Sequence, residues 1–278
     1  MKDYLSLKQF SAEARKNCLY CISNLGVGHV GGALSVIDIL TYLYNVEMKG
    51  IDPSDPGKAG RDMLVLSKGH SGPALYSVLA MKGYFPMSWL ATLNKGGTRL
   101  PSHCDRNCTP GIDMSTGSLG QGLSAACGMA YGALLRKSSQ RIFCIIGDGE
   151  TEEGQNWEAA MFAFANKLDN LIGITDYNRL QIDGTVEQVS GLTDFESKWS
   201  SFGWETVSCN GHDFSDLERA FSACDKRNGK PKMIICHTIK AKGFPRLEDK
   251  VESHNSKISL DEVKQLYNGE VPQWLTLK

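Results

Sequence analysis

A doubly wound, mostly parallel α/β sheet with helices on both faces is the fold class this sequence predicts, on three observations. Short apolar, β-branched runs, RIFCIIG (141–147), NLIGITD (170–176), WETVSC (204–209) and KMIICHT (232–238), have the length and composition of strands buried on both faces. Helical stretches separate them, which favours parallel pairing. Glycines, carboxylates and amides follow the runs directly, where open α/β sheets bind ligands.

The elements follow in order. ARKNCLYCISNL reads as helix, and Ser35 reads as the N-cap of a helix whose stripe is Val36, Ile37, Ile39, Leu40, Leu43 and Val46. Glu153 to Lys167 and Ser215 to Cys224 have the same periodicity. From Gly243 the chain turns irregular and polar, a loop expected to fold over the sheet's edge, before a last short helix beginning near Ser259. No repeat, low-complexity tract or long polar linker divides residues 1–278, so one domain is expected.

Composition excludes several functions. A formal net charge of −1 argues against nucleic acid as a partner. No run approaches the roughly 18–20 apolar residues of a spanning helix, and the N-terminus lacks the apolar segment of a signal peptide, so no membrane partner and a cytoplasmic location are expected. The nine scattered cysteines suit reduced thiols. Cys18 and Cys21 have CxxC spacing within a helical stretch, and Cys104 and Cys108 flank a polar loop. Both pairs read as buried or incidental cysteines, because N/S metal sites need four ligands in tetrahedral reach. Gly26-x-Gly28-x-x-Gly31 spells a dinucleotide fingerprint, but no strand feeds it.

The run 141–147 passes into Gly147-Asp148-Gly149. Glycine lets backbone approach phosphate oxygens, and an aspartate there can supply a hard oxygen ligand to Mg²⁺ or Ca²⁺. Asn178 follows after 28 intervening residues, at the end of the next predicted strand. Adjacent parallel strands would bring Asp148 and Asn178 to one sheet edge and one cation.

This GDG…N arrangement resembles the signature of thiamine-diphosphate enzymes. The resemblance implies that Asp148, Asn178 and the backbone carbonyl of Leu180 hold a divalent metal (Mg²⁺, or Ca²⁺ or Mn²⁺) against the cofactor's diphosphate, with Gly149 beside it. Other motifs, running in order from about Leu7 to the C-terminus, are similar to those of transketolases in particular. Val65-Leu66-Ser67-Lys68-Gly69-His70 resembles a strand end whose Lys68 and His70 approach the phosphates. Ser115 to Gly122, STGSLGQG, resembles a loop along the cofactor. There Gly117, Ser118 and Leu119 line the aminopyrimidine and the bridge, and Ile182 would meet the thiazolium.

Gly28-His29-Val30-Gly31-Gly32 resembles a family segment whose histidine points into the substrate channel and whose Gly32 lies by the cofactor; Val30 stands where proline is frequent. Ser102-His103 resembles an active-site loop in which His103 contacts sugar hydroxyls, with Cys104 in place of the usual proline. His254 aligns with a late histidine near the diphosphate and the reacting carbon, followed by Asn255 rather than glycine. Lys240 resembles a lysine of a loop near the cofactor, and Glu153 a glutamate between active sites, although a helix N-terminus explains it equally well. His212 and His237 read as structural. Imidazoles suit proton movement at sugar hydroxyls near neutral pH.

The resemblance implies a transketolase half. It would carry a two-carbon ketol unit from a ketose (phosphate) to an aldose (phosphate), with thiamine diphosphate supplying the carbanion chemistry. Nothing matches the family's second domain, so a separate C-terminal subunit is expected, in an α2β2 assembly with sugar phosphate substrates. A deoxyxylulose-phosphate synthase-like or oxoacid dehydrogenase-like subunit, or a non-catalytic cofactor-binding regulatory protein, would share part of this signature.

Overall fold

The computed structural model describes residues 4–191 and 193–276. The chain opens with α1 (Tyr4–Leu25), the two-residue β1 (Val27–Gly28), α2 (Val30–Ser35) and α3 (Ile37–Tyr42). Then come β2 (Met63–Leu66), α4 (Gly72–Met81), α5 (Gln121–Leu135), β3 (Ile142–Gly147), α6 (Gly154–Ala165) and β4 (Leu171–Tyr177). Next are α7 (Val186–Ser190), α8 (Phe195–Ser201), β5 (Glu205–Asn210), α9 (Phe214–Cys224) and β6 (Lys232–His237). The chain closes with β7 (Ser256–Lys257), α10 (Leu260–Leu266) and α11 (Gln273–Thr276).

Five strands form one parallel sheet in the order β2-β3-β4-β6-β5. The four predicted runs are four of them, each displaced by no more than a residue. The two-residue side-chain period assigns the faces. Leu64, Leu66, Phe143, Ile145, Ile172 and Ile174 pack with α1, α3, α4 and α9. Val65, Ile142, Cys144, Ile146, Leu171 and Ile235 pack with α5, α6 and α8. Helices thus cover both faces, as expected for a doubly wound sheet.

The local expectation at Ser35 is corrected. Ser35 is the last residue of α2, not an N-cap. Its hydroxyl donates to Asp176 Oδ2 at 2.7 Å, so a tertiary partner takes it away from the helix end. The stripe from Val36 to Val46 is accordingly split into α3 and a π-helical turn at Leu43–Glu47. The segment after Gly243 reaches the carboxyl edge of the sheet, where His254 stands with residues that follow the strand ends. The chain around it is held on α1 and α2: just before Gly243, Ala241 N donates to Gly31 O at 3.0 Å and Arg15 Nε donates to Lys242 O at 2.8 Å, and at its end β7 pairs with β1. Gly31 permits this, since a Cβ there would lie 2.5 Å from Ser253 Oγ and 2.8 Å from Lys240 Cγ. A helix does begin next to Ser259, whose hydroxyl caps α10 by accepting from Glu262 N at 3.1 Å, but it is not the last, since α11 follows it.

The helix α1 ends directly before Gly26-x-Gly28-x-x-Gly31, and no strand of the main sheet feeds it. All nine cysteines are free thiols. Cys18 and Cys21 are buried in α1, where burial pushes the Cys18 thiol up to about 12. Among the described residues no three His, Cys, Asp or Glu side chains converge to hold a metal by themselves. No helix among them is long and apolar enough to cross a membrane.

Candidate functional site

Four parallel strands end at one place, and each delivers a side chain there. Lys68 follows β2, Asp148 follows β3, Asn178 follows β4 and Lys240 follows β6. The pairing of Gly147 with Asp176 sets the β3 and β4 loops side by side, in keeping with the sequence. These four residues line one cavity of about 290 Å³, together with Gly149 and Leu180. Gly32, His70, Leu119, Ile182 and His254 complete the predicted set that meets there.

The remaining predicted residues stand beside this cavity rather than in its wall. The His29 ring centroid lies 5.1 Å from His70, 5.7 Å from His103 and 5.4 Å from His254, so the four imidazoles form one cluster. Gly117 lies against the His103 ring, and Ser118 is exposed on the same loop, hydrogen-bonded through its carbonyl to Gln121 N. His212 holds structure: Nδ1 donates to Asp38 at 2.7 Å while Nε2 accepts from Ile239 N at 2.9 Å. His237 is exposed beside the Tyr177 ring.

The donor set suits a cation and a polyanion. Asp148 is buried, with its carboxylate accepting from Gly149 N at 2.9 Å and Arg179 N at 2.5 Å. Burial pushes its carboxyl up to about 7, and the Asp176 charge adds to this. A divalent cation alongside would hold it ionised. Asn178 Nδ2 donates to Asp176 at 3.0 Å, which turns the amide so that Oδ1 faces away from that carboxylate, where it accepts a 3.2 Å bond from Leu180 N. Leu180 O accepts from Lys240 Nζ at 2.7 Å, so an ammonium already sits on the carbonyl that the metal reading assigns. Gly32 keeps the opposite wall open. A Cβ there would lie 3.2 Å from His70 Nε2, Lys68 Nζ and Ser71 Oγ, the groups positioned to meet an anion.

Two residues to which the sequence assigned no role organise this set. Asp176 is fully buried and accepts from Lys68 Nζ at 2.5 Å, Ser35 Oγ, Thr238 Oγ1 and Asn178. Burial opposes its ionisation, but Lys68 and these hydrogen bonds hold its carboxyl below the ordinary value. Glu150 is buried too, joining three loops by accepting from Ser67 Oγ, Gly120 N and Gly147 N. A lone acidic residue ending an apolar run is the only sequence signal for Asp176, since its partners lie up to 141 residues away.

The chain matches the family model described as transketolase, thiamine diphosphate binding domain, over residues 8–269. It belongs to that family. One relative in it, the 6-deoxy-6-sulfo-D-fructose transketolase subunit SqwG of Clostridium sp. strain MSTE9, is 54% identical over 88% of this chain and 89% of its own length. An apulose-4-phosphate transketolase subunit of Phocaeicola vulgatus is 39% identical over 90% of this chain and 88% of its own. The solved transketolase of Leishmania mexicana, 26% identical, superposes on 97% of this chain with a TM-score of 0.89, yet the chain spans only 43% of it. The family's fold is therefore present here at the length of a single subunit of the relatives named as subunits.

The imidazole cluster is expected to make the ligand-free protein acid-sensitive. Burial, with Lys240 next, lowers His254 to about 4; burial and Lys68 hold His70 well below its ordinary value, and burial and His103 lower His29. A depressed histidine contributes stability that is complete above the unfolded value near 6.5 and is lost as pH falls through the folded one, because the unfolded chain takes up the proton first. The melting temperature of ligand-free protein is expected to fall from about pH 6.5 towards pH 4. His254→Gln is expected to remove up to about one proton from the uptake on unfolding and to flatten that slope. Equal slopes for wild type and variant in calorimetric melts would contradict the assignment.

Proposed function

We propose that this chain is the cofactor- and metal-binding subunit of a two-subunit, cytoplasmic transketolase, acting as one domain in an α2β2 assembly. With its partner it transfers a two-carbon ketol unit from an anionic ketose, a sugar phosphate or sulfonate, to an aldose phosphate. The observation that carries this reading is the convergence of Lys68, Asp148, Asn178 and Lys240 from four parallel strand ends on one cavity beside four imidazoles. Family membership and the two relatives named as transketolase subunits support it.

Asp148, the Asn178 amide oxygen and Leu180 O would hold Mg²⁺, Ca²⁺ or Mn²⁺, a hard cation that takes oxygen ligands. Lys68, His70, Gly32 and Gly149 would face the diphosphate, Lys240 and His254 would stand near it, and Gly117, Ser118, Leu119 and Ile182 would line the organic rings. Bound thiamine diphosphate supplies the carbanion chemistry that breaks and remakes the carbon–carbon bond. This chain's residues hold the site and handle protons at the sugar. His29, His103 and His254 are the groups to exchange protons with substrate hydroxyls, and the lowered values of His29 and His254 keep both neutral, able to accept, near pH 7.

The test is a ketol-transfer assay of the reconstituted complex with 6-deoxy-6-sulfo-D-fructose, the donor named for the 54% identical relative, and with fructose 6-phosphate. The expected product from the sulfonated donor is a four-carbon aldose that keeps the sulfonate, because two carbons leave. No aldose product with either donor and several acceptors would end the reading. His29→Ala, His103→Ala and His254→Ala are each expected to lower kcat by roughly 100-fold, the scale of general acid–base contributions, with cofactor binding by calorimetry far less changed. Wild-type kinetics in all three would refute their role.

A further inference from the structure

We propose that His212 is a positioning residue for the cofactor and metal site: anchored by Asp38, it holds the turn at 238–242 that presents Lys240 to the Leu180 carbonyl. The proposal rests on the cofactor-binding reading above. His212 does not line the cofactor cavity, whereas Lys240 and Leu180 both do. It acts through what it holds.

The loop that carries His212 is built against the end of β6. Gly211 N donates to His237 O at 2.9 Å, and a Cβ on Gly211 would lie 2.6 Å from Thr238 Cγ2, so glycine is what allows this approach. The imidazole then bridges two elements. Nδ1 donates to Asp38 Oδ2 on α3 at 2.7 Å, and Nε2 accepts from Ile239 N at 2.9 Å. Asp38 is buried and also accepts from Arg15 at 2.9 Å and from Ser11. Arg15 closes the bracket on the other side of the turn, since its Nε donates to Lys242 O at 2.8 Å.

Between these two anchors the backbone is strained. Ala241 is fully buried and held at φ 56°, in the left-handed region that a Cβ makes unfavourable. Such a conformation persists only where the surrounding contacts over-determine it. Here those contacts are the His212 and Arg15 bonds on either side and the bond from Ala241 N to Gly31 O.

The strained turn aims two of its side chains at the site. Thr238 Oγ1 donates to Asp176, and Lys240, only 2% exposed, donates from Nζ to Leu180 O at 2.7 Å. That is the only hydrogen bond the ammonium makes among the described residues, so one buried group ties the turn after β4 to the turn after β6. A carbonyl oxygen has two lone pairs, and Lys240 occupies one while leaving the other for a cation.

Two substitutions separate the halves of the His212 bridge. In His212→Gln the amide oxygen stands in for Nε2 and still accepts from Ile239 N, while the bond to Asp38 is lost; in His212→Asn the shorter amide keeps Asp38 but leaves Ile239 N without its acceptor. The readouts, on the reconstituted complex, are hydrogen exchange of the amides of 179–186 without added ligand and calorimetric titration with Mn²⁺ and thiamine diphosphate. His212→Asn is expected to exchange 179–186 roughly tenfold faster, the scale of one or two hydrogen bonds. It is also expected to bind Mn²⁺ with the cofactor roughly tenfold more weakly, as for loss of an outer partner of a metal ligand. His212→Gln is expected to stay near wild type in both. Equal behaviour of the two variants overturns the proposal, and so does acceleration of α9, which adjoins His212 in the chain, as large as that of 179–186. Should His212→Asn not fold, Arg15→Met tests the same turn, because it keeps a side chain against Gly243 but removes the donors to Lys242 O and Asp38. Faster exchange of 179–186 in that variant supports the proposal, and wild-type exchange overturns it. No binding of Mn²⁺ and cofactor by wild type overturns the cofactor reading and the proposal with it.

Discussion

Asp148→Ala and Asp148→Asn are expected to abolish binding of thiamine diphosphate and of the divalent metal together. Loss of merely an outer partner of a metal ligand costs 10–100-fold in affinity, so removing a direct anionic ligand is expected to cost more than about 100-fold. The two variants separate binding from folding. Alanine leaves Gly149 N and Arg179 N without their acceptor, at about 1–3 kcal/mol for each buried donor. Asparagine keeps an acceptor oxygen and the side chain's shape but removes the charge. Calorimetry with cofactor and Mg²⁺, each alone and together, is the measurement. Wild type should be stabilised by about 2.7 kcal/mol at a hundredfold excess over Kd, whereas a folded Asp148→Asn protein should melt at one temperature with or without ligands. Wild-type affinity in Asp148→Asn would remove Asp148 from the metal site.

The second large effect is that this chain alone should show no ketol transfer, even saturated with cofactor and metal. Thiamine chemistry needs a carboxylic group against the aminopyrimidine ring; Glu150 and Glu152 at this cavity are otherwise engaged, and Glu153 follows the Gly147-Asp148-Gly149 loop, at the end assigned to the diphosphate. Glu150 is buried and accepts from Ser67, Gly120 and Gly147, while Glu152 accepts from Gln181 Nε2 and Ser190 Oγ. Apolar groups meant for contact also lie open: Ile182 is 63% exposed and Leu119 37%, both at the cavity. A partner that covers them and brings the missing carboxylate answers both observations. The test adds the partner in increasing ratio to a fixed amount of this chain and follows donor consumption. Activity rising from background and saturating near one partner per chain is the expected result. Turnover by the lone chain matching that of the mixture would refute it.

Residues 141–147 and 170–176 are legible as strands because two-sided burial in a parallel sheet leaves a local signature, an apolar β-branched run. Once those strands are neighbours, the meeting of Asp148 and Asn178 follows from sequence alone, since parallel strands bring their ends to one edge. Lys68, His70, Lys240, His29, His103 and His254 are legible as site residues only through resemblance. Nothing in a lone histidine's local sequence says which loop it will face.

What the sequence by itself determined was the alternation of strands and helices, the meeting of the GDG…N residues at neighbouring strand ends and the ordered motifs of the family, because each is carried by residues close in the chain or at strand ends. Tertiary structure alone decided that Ser35 serves Asp176 instead of capping a helix, and that the segment after Gly243 is pinned to β1 through β7. It also decided that Asp176 and Glu150 are the hubs of the site. Each hub depends on a buried polar group finding partners 30 to 141 residues away. The requirement that buried donors and acceptors be satisfied acts on distance in space, to which a linear pattern is blind.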